Sequence, residues 1–483
     1  MSAGPRGDGA LAIGAGLLAG VLMAIGAQYA GPAALALLVV PPAGVVLLLR
    51  PDLALAVLVT GVIVLESDDE TFLAGLANAT TFYGGTPVAG LGLVDLLTGV
   101  VVAGVGLRAV RDRRLIRPEP FTLPLLLLAA ALAFGLVQGA SSGGAGVDMA
   151  NTLRRMLPLL LLPFAVVNVV QTRAQLRRAV VLLCVLVGYK VVTGVAAFAL
   201  GAGRELDGTV LVYYSSLANL LLMGFLLVAV AGMVGRAGLT RAAWWLVPLA
   251  LAVLVLSYRR NFWIATVLGV AIVLLVGSGR RGRALLVPAG AVLACALVAG
   301  FTAVSNSQSQ SPVVQRAQSL SPSKLQASSD DRYRLDEQRN VLAEIRRHPL
   351  TGIGVGVPWT ARYPLAEYFE NGRYYTHVAA LWYWLKLGLT GLVAYLLLVF
   401  TTVHTGMGLW RRAPRRWDRA LGLGVAAAML GLAVAETTGS FTGVDGRTTI
   451  LVAATLGGLA ALRRIGEEEA RSAVEALRSR AAA

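Results

Sequence analysis

Three stretches of the sequence carry side chains of the kind that bind anions or move protons: LSYRRNFWIA, DRYRLDEQRN and RYYTHVAAL. The first contains Arg259 and Arg260, the second Arg332 and Arg334, and the third His377. An arginine guanidinium offers planar paired donors that suit a diphosphate better than a lysine ammonium does. A neutral imidazole accepts a proton near neutral pH. Residues of these types would suit an anion-binding site with a general base.

Each of these residues also has a simpler interpretation. Arg259 and Arg260 interrupt an apolar stretch, where an arginine either faces a polar cavity or extends to lipid head-group phosphates. Arg334 falls in a charged segment, where a solvated surface charge is the default. His377 lies at the border of an apolar run, where interfacial hydrogen bonding is the alternative to catalysis. Only three of the 42 basic residues are lysines, so the use of arginine does not by itself indicate a diphosphate.

The second stretch belongs to a predicted helix over residues 330–347. Leu335, Leu342 and Ile345 fall near one face of this helix, and arginines suit its C-terminal end. Pro349 follows directly and disfavours any continuation.

A glycine-rich stretch, HPLTGIGVGVPW, comes next. GIGVG looks like part of a nucleotide-binding loop, but such a loop needs a preceding strand and a βαβ unit, and the context here is helical. Gly352, Gly354 and Gly356 instead predict a close-packed turn, because glycine permits sharp turns and close backbone approach.

Most of the remaining chain is apolar. Of its 483 residues, 57% are hydrophobic and only 14% are charged, with a mean hydropathy of +0.71. Soluble domains carry about 25% charged residues, and many runs here approach the ~20 apolar residues that cross a bilayer. The sequence therefore predicts an all-α, polytopic membrane protein with about 12–14 transmembrane helices. The apolar runs are 11–30, 33–49, 52–66, 92–110, 121–139, 156–170, 176–200, 209–235, 242–257, 260–277, 284–304, 377–403, 418–438 and 447–463.

The basic residues predict how the chain is oriented. The net charge of +16 comes mostly from connections between apolar runs, so it indicates membrane orientation rather than nucleic-acid binding. Arginine-rich connections at 108–117, 173–178, 279–283 and 411–419 alternate with acidic or nearly neutral ones. This alternation places the arginine-rich connections and both termini in the cytoplasm.

This topology divides the chain into four parts. They are transmembrane helices over 1–304, an extracytoplasmic loop with a helix and a glycine-rich turn over 305–376, transmembrane helices over 377–463, and a cytoplasmic tail over 464–483. The long loop and the connection SYRRN, whose two arginines lie on the outer side, both break the pattern. Such departures are where function is expected.

The order of these features resembles the O-antigen ligase / O-antigen polymerase family of bacterial envelope glycosyltransferases, whose helical fold is similar to that of C-type glycosyltransferases. The family has an arginine after a serine at the outer mouth of one span, a second arginine before an hPLxGiGxG turn, and a histidine that opens the next span. Arg260 best matches the first arginine, with Arg259 as the alternative. Arg334 best matches the second, with Arg332 as the alternative, and His377 matches the histidine.

Two positions depart from that family pattern. Val378 follows the histidine where the family commonly has asparagine, and Gln338 stands four residues after Arg334 where the family often has an aromatic residue. These departures indicate a divergent branch.

The resemblance implies a metal-independent, inverting glycosyltransferase without a cofactor, in the bacterial inner membrane with its active site facing outside. Its partners would be an undecaprenyl-diphosphate-linked glycan as donor, an acceptor glycan or lipid, and membrane lipids. Arg260 and Arg334 would bind the diphosphate, and His377 would take the proton from an acceptor hydroxyl. The sequence does not decide whether the acceptor is another repeat unit, a lipid core or a protein.

Two other classes remain open at the level of the sequence. A lipid-linked oligosaccharide flippase or another polytopic transporter would show internal repeats and broken helices around a midplane site. A scaffold for envelope assembly would leave the arginines and His377 as interfacial residues.

Overall fold

The computed structural model describes residues 42–65, 91–201, 204–206, 209–213, 215–237, 241–279, 329–365 and 372–482. The predicted runs 11–30 and 284–304, most of 33–49, and the first part of the long loop lie outside these ranges. The helices are α1 (Pro42–Leu49), α2 (Pro51–Val64), α3 (Leu93–Asp112), α4 (Thr122–Ser141), α5 (Gly146–Val169), α6 (Arg173–Ala199), α7 (Ser216–Val234), α8 (Arg241–Leu256), α9 (Arg260–Gly277), α10 (Ser329–Ile345), α11 (Ala379–Arg412), α12 (Arg416–Ala435) and α13 (Gly446–Ala482).

Within the described ranges, nine helices are long and apolar enough to cross a membrane. A tenth span results if α1 and α2, which meet at an angle of 110°, are counted as one broken span. These helices confirm the predicted all-α, polytopic membrane fold. The larger predicted number includes runs outside the described residues.

Several predicted boundaries shift in the structure. The run 209–235 begins with a strand rather than a helix: β1 (Arg204–Leu206) and β2 (Thr209–Leu211) form an antiparallel pair. The amide of Val212 then donates to the Leu256 carbonyl, which ties this hairpin to the end of α8. The last span continues as one helix to Ala482, so most of the predicted tail is helical.

Small residues let the central helices approach closely. Helix α12 packs against α7, α9 and α11, while α13 packs against α5. A Cβ on Gly406 of α11 would lie 2.3 Å from the Gly422 carbonyl oxygen of α12. A Cβ on Gly424 would lie 2.6 Å from the backbone of Val228 in α7. Such contacts are typical of helix association in membranes, where apolar surface alone gives little driving force.

The arginine-rich connections meet at one end of the bundle. Arg173, at the start of α6, forms ion pairs with Asp418 of α12 at 2.7 Å and with Glu469 of α13 at 2.8 Å. Arg464 donates to the Val170 carbonyl at 3.1 Å. The connections 173–178 and 411–419, which the sequence assigned to one side, therefore lie together, and the connections that carry Arg259 and His377 lie at the opposite end; most of 279–283 lies outside the described residues.

Candidate active site

The glycine-rich stretch forms a turn that is built into the bundle. Gly352, Gly354 and Gly356 have φ values of +69°, +93° and +77°, in the left-handed region that favours glycine. A Cβ on Gly352 would lie 2.5 Å from the Leu385 carbonyl oxygen, and a Cβ on Gly354 would lie 2.5 Å from the Gly139 amide nitrogen. Both the backbone conformation and the available space therefore require glycine.

The turn fills a break in helix α11. The helix departs from helical geometry at Gly388, where φ is +70°. Leu385, just before the break, accepts a hydrogen bond from the Ile353 amide at 2.7 Å, and Leu389 donates to the Leu350 carbonyl at 3.0 Å. The turn thus satisfies backbone groups that the break would otherwise leave without helical partners.

Helix α4 holds the turn from the other side. The Val355 amide donates to the Gly135 carbonyl at 2.9 Å, and the Gln138 side chain donates to the Gly352 carbonyl at 2.7 Å. The turn is therefore clamped between α4 and α11, which fixes the position of the helix that precedes it.

Helix α10 buries polar and apolar side chains together. Leu335 and Leu342, which the sequence placed near one face with Ile345, are 48% and 37% exposed, whereas Ile345 is buried. Val341 and Ile345 pack in an apolar cluster with Ile353, Trp359 and Leu385. Glu337 and Asn340 are also fully buried. The Asn340 side chain accepts from the amides of residues 362 and 363 at 2.6 and 2.8 Å. Asn340 thus supplies hydrogen-bond acceptors to loop backbone that would otherwise be buried without partners.

Glu337 holds His377. One carboxylate oxygen of Glu337 lies 2.9 Å from the imidazole Nδ1 of His377 and accepts the His377 backbone N–H at 3.1 Å. The Glu337 side chain is fully buried, while that of His377 is 16% exposed. A carboxylate at Nδ1 favours the tautomer with the proton on Nδ1, which makes Nε2 the proton acceptor of the neutral ring. This geometry suits general-base chemistry.

Two tyrosines surround the imidazole. The Tyr375 ring stands edge-on to His377 at a centroid distance of 4.9 Å, and the Tyr333 ring does so at 6.1 Å. Burial raises the pKa of both phenols to about 12, and the charge of Glu337 adds to each rise. Both phenols therefore stay protonated at neutral pH, which leaves the imidazole as the group suited to accept a proton.

Two arginines interact electrostatically with Tyr375. The positive charges of Arg334 and Arg259 oppose the rise in the pKa of Tyr375, so both guanidinium groups lie within electrostatic range of one phenol. Arg334 is partly buried, whereas Arg332 is exposed. Arg260 begins helix α9 and Arg259 is its N-cap. The structure thus brings Arg259, Arg334 and His377 around Tyr375, although they are far apart in the sequence.

The turn that carries the arginines is rigidly held. Ser257 is fully buried, and its hydroxyl accepts the Arg259 amide at 3.3 Å. The Trp263 indole donates to the Leu254 carbonyl at 3.0 Å, which links both sides of the turn. Phe262 stacks on Phe441 with ring centroids 5.5 Å apart. These contacts join the arginine turn to the residues that follow α12.

The segment after α12 also supports His377. The Ser440 hydroxyl donates to the Thr376 carbonyl at 2.6 Å, and the Ser440 amide donates to the Tyr375 hydroxyl at 3.3 Å. The Glu436 carbonyl accepts the Ala379 amide at 3.1 Å, at the start of α11. Residues on both sides of His377 are therefore fixed by the same segment.

Sequence reasoning missed Glu337, Tyr333 and Tyr375. A signal for Glu337 was present: it stands three residues after Arg334 on a predicted helix, and residues at that spacing share a face. Among the described residues, no three His, Cys, Asp or Glu side chains are grouped so that they could hold a metal ion.

The fold and this site define a polytopic, all-helical membrane protein with an arginine, tyrosine and histidine cluster at one end of the bundle. Residues 245–396 match a protein family described as O-antigen ligase, which confirms the resemblance seen in the sequence. The match extends from α8 to the first half of α11 and includes Arg259, Arg334, the glycine turn and His377. Over this segment the chain is therefore O-antigen ligase-like. No curated protein matches the chain.

Proposed function

We propose that the protein transfers a glycan from undecaprenyl diphosphate to an acceptor hydroxyl at the outer face of the bacterial inner membrane. The observation that carries this proposal is the pairing of His377 with the buried Glu337, close to a phenol on which Arg259 and Arg334 both act. The O-antigen ligase match over residues 245–396 supports the same class of reaction. The arginine-rich end of the bundle then faces the cytoplasm, together with both termini.

The arginines bind the diphosphate of the donor in this proposal. Arg334 and one residue of the Arg259–Arg260 pair donate paired hydrogen bonds to phosphate oxygens and offset the negative charge that develops as undecaprenyl diphosphate leaves. The partly buried position of Arg334 suits this role better than the exposed position of Arg332.

His377 acts as the general base. The acceptor hydroxyl oxygen attacks the anomeric carbon, the bond from that carbon to the phosphate oxygen breaks, and the hydroxyl proton passes to Nε2 of His377. A single displacement of this kind inverts the anomeric configuration, and no step in it requires a cofactor. Glu337 keeps the imidazole in the correct tautomer and stabilises the imidazolium that forms, as a carboxylate does beside a catalytic histidine.

A reconstituted transfer assay tests the proposal. The full-length protein, purified into nanodiscs, is incubated with lipid-linked glycan extracted from the membranes in which it is made, and glycan length and attachment are followed by mass spectrometry. Transfer by the single purified protein supports an enzyme. Movement of lipid-linked glycan across a vesicle membrane without transfer would instead indicate a transporter, and neither activity would indicate a scaffold.

A further inference from the structure

A polar cavity of about 90 Å³ lies next to the His377 site. Tyr375 is a wall common to both, because its ring contacts His377 and also lines the cavity. The hydroxyl of the same tyrosine is within the electrostatic range of Arg259 and Arg334. Tyr375 therefore joins the cavity to the His377 site.

One face of α5 supplies much of the polar lining. Asp148, Asn151, Thr152 and Arg155 all line the cavity, and their spacing places them on one side of a helix. Helix α5 is also a candidate membrane span. A row of polar side chains in the first turns of a membrane helix faces a polar compartment rather than lipid.

A buried lysine adds to this lining. Lys386 of α11 is 2% exposed, lines the cavity, and donates to the Val357 carbonyl beside the glycine turn. Its side-chain nitrogen carries at least two N–H donors whether it is charged or neutral, and the bond to Val357 is the hydrogen bond that it makes within the described part of the chain. At least one donor therefore remains for the contents of the cavity, because buried polar groups are normally hydrogen-bonded.

We propose that this cavity binds a sugar residue of the acceptor, a proposal that rests on the proposed transferase function. Sugar hydroxyls donate and accept, so they match a lining that combines the Asp148 carboxylate, the Lys386 side-chain nitrogen and the Asn151 amide. The cavity has space for about six to nine waters, which is comparable to one pyranose ring with its hydroxyls. An acceptor sugar held here lies one side chain, that of Tyr375, away from His377.

Protection of an introduced thiol tests the subsite. Cys184 and Cys295, the two native cysteines, are replaced by alanine, and Thr152→Cys is made in that chain. Val147→Cys is the matched control, because Val147 lies at the start of the same helix and is 75% exposed. Labelling by a methanethiosulfonate reagent is timed with two probes: free glycan released by mild acid from the extracted lipid-linked glycan, and undecaprenyl diphosphate alone.

Saturating free glycan is expected to slow labelling at position 152 by about tenfold or more, since only a small fraction of sites is then empty. Labelling at position 147 is expected to be unaffected, and undecaprenyl diphosphate alone is expected to protect neither position. Labelling at 152 that no probe slows would overturn the subsite, because the cavity then holds only water. Equal protection by undecaprenyl diphosphate would also overturn it and assign the cavity to the donor head group.

Two further measurements make the outcome independent of folding and of the proposed function. Asn151→Cys repeats the labelling from the neighbouring position, so a folding defect in one variant does not decide the result. Protection requires no transfer, whereas the proposed function requires transfer by the unmodified protein. Protection without transfer would therefore reject the enzyme and retain a glycan-binding site, while transfer without protection would reject only the subsite.

Discussion

Glu337 and Glu436 are both fully or almost fully buried, but their carboxylates bind very different partners. Glu436 accepts the Tyr395 hydroxyl at 2.5 Å with one oxygen and the Thr442 amide at 2.6 Å with the other. Glu337 uses one oxygen for both the ring and the backbone of His377. Its second oxygen is buried and has no hydrogen-bond partner among the described residues.

The difference separates a structural carboxylate from a functional one. The partners of Glu436 are themselves buried, so that network joins α11 and α12 and reaches no solvent. The partner of Glu337 is a partly exposed imidazole at the mouth of the proposed site. Burial of a carboxylate therefore does not by itself indicate a role in catalysis. The solvent accessibility of the group that the carboxylate binds is the better indicator.

The largest effect is expected from His377→Ala. Loss of a general base costs about 10²–10⁴-fold in rate, so kcat for glycan transfer by the folded fraction should fall by that factor. His404→Ala is the matched control, because His404 lies on the same helix, is exposed, and stacks on Phe400 away from the site. Unchanged transfer by a correctly folded His377→Ala protein would reject the base assignment.

Arginine-to-lysine substitutions should come next. Arg334→Lys keeps the charge but loses the paired donors, and hydrogen bonds to charged groups contribute about 1.5–3 kcal/mol, so kcat/KM should fall about 10- to 100-fold. Arg332→Lys, at an exposed position on the same helix, should change little. Arg259→Lys and Arg260→Lys, measured side by side, identify the member of that pair that binds diphosphate. Full activity in both would count against diphosphate binding by this pair.

Removal of the negative charge should lower the rate of transfer at Glu337 and the stability of the fold at Glu436. Glu337→Gln is expected to lower kcat by at least about tenfold with an unchanged KM for the donor, because the imidazolium loses its counter-charge. Glu337→Asp retains a carboxylate and should recover part of the rate.

Glu436→Gln should instead lower the free energy of unfolding by about 1–3 kcal/mol while the folded fraction keeps its kcat. Thermal unfolding and transfer kinetics on the same preparations check both sides of the comparison. A loss of kcat in Glu436→Gln as large as in Glu337→Gln would remove the distinction between the two carboxylates.

Gly354→Ala should destabilise the turn that places α10. The residue combines a left-handed φ with contact against the α4 backbone, and a strained non-glycine conformation alone costs about 1–3 kcal/mol. Gly143→Ala is the matched control, because Gly143 has φ +75° but no atom within 4 Å of an added Cβ. A melting temperature that falls equally in both variants would show that close packing at Gly354 contributes nothing.

The smallest effect is expected from Tyr375→Phe. The phenol has a pKa of about 12 because of its burial, so it stays protonated to about pH 10 and does not shape the pH–rate profile below that value. The profile of the variant should keep its form. Tyr375 also makes the free energy of unfolding depend on pH. The folded protein binds the phenol proton more tightly than the unfolded chain does, so the stabilisation from this proton is complete below pH 10 and is lost as pH rises towards 12.

The spans and the glycine turn could be predicted because their signals are local. Long apolar runs are sufficient to predict α3, α4, α6 and α7, and alternate glycines before Val357 are sufficient to predict a tight turn. For α5 the predicted run began at residue 156, whereas the helix begins at Gly146, because its first turns are polar and carry no apolar signal. The break at Gly388 could not be predicted, because it depends on a turn more than 30 positions earlier in the chain that supplies the missing hydrogen bonds.

The partners of the site residues could not be predicted from the sequence either. Helix α10 buries Glu337 and Asn340 as well as Val341 and Ile345, so the positions of its leucines alone did not identify the face that packs. Glu337 and His377 are 40 positions apart, and no local pattern joins them. Lys386 lies within a predicted apolar run. Its hydrogen bond to Val357 depends on the position of the glycine turn, which the run does not reveal.

The clamping of the glycine turn also determines when the site can form during biosynthesis. Gln138, which holds Gly352, is 214 positions earlier in the chain, while Leu385 and Leu389 follow the turn. Chains emerge from the ribosome N-terminus first, at about 5–20 residues per second. The turn is therefore synthesised before the residues of α11 that bind it. Helix α10, which carries Glu337, therefore cannot pack in its final position until α11 has been inserted. A nascent chain that stops before α11 would therefore carry all four arginines but lack the helix break that fixes the glycine turn.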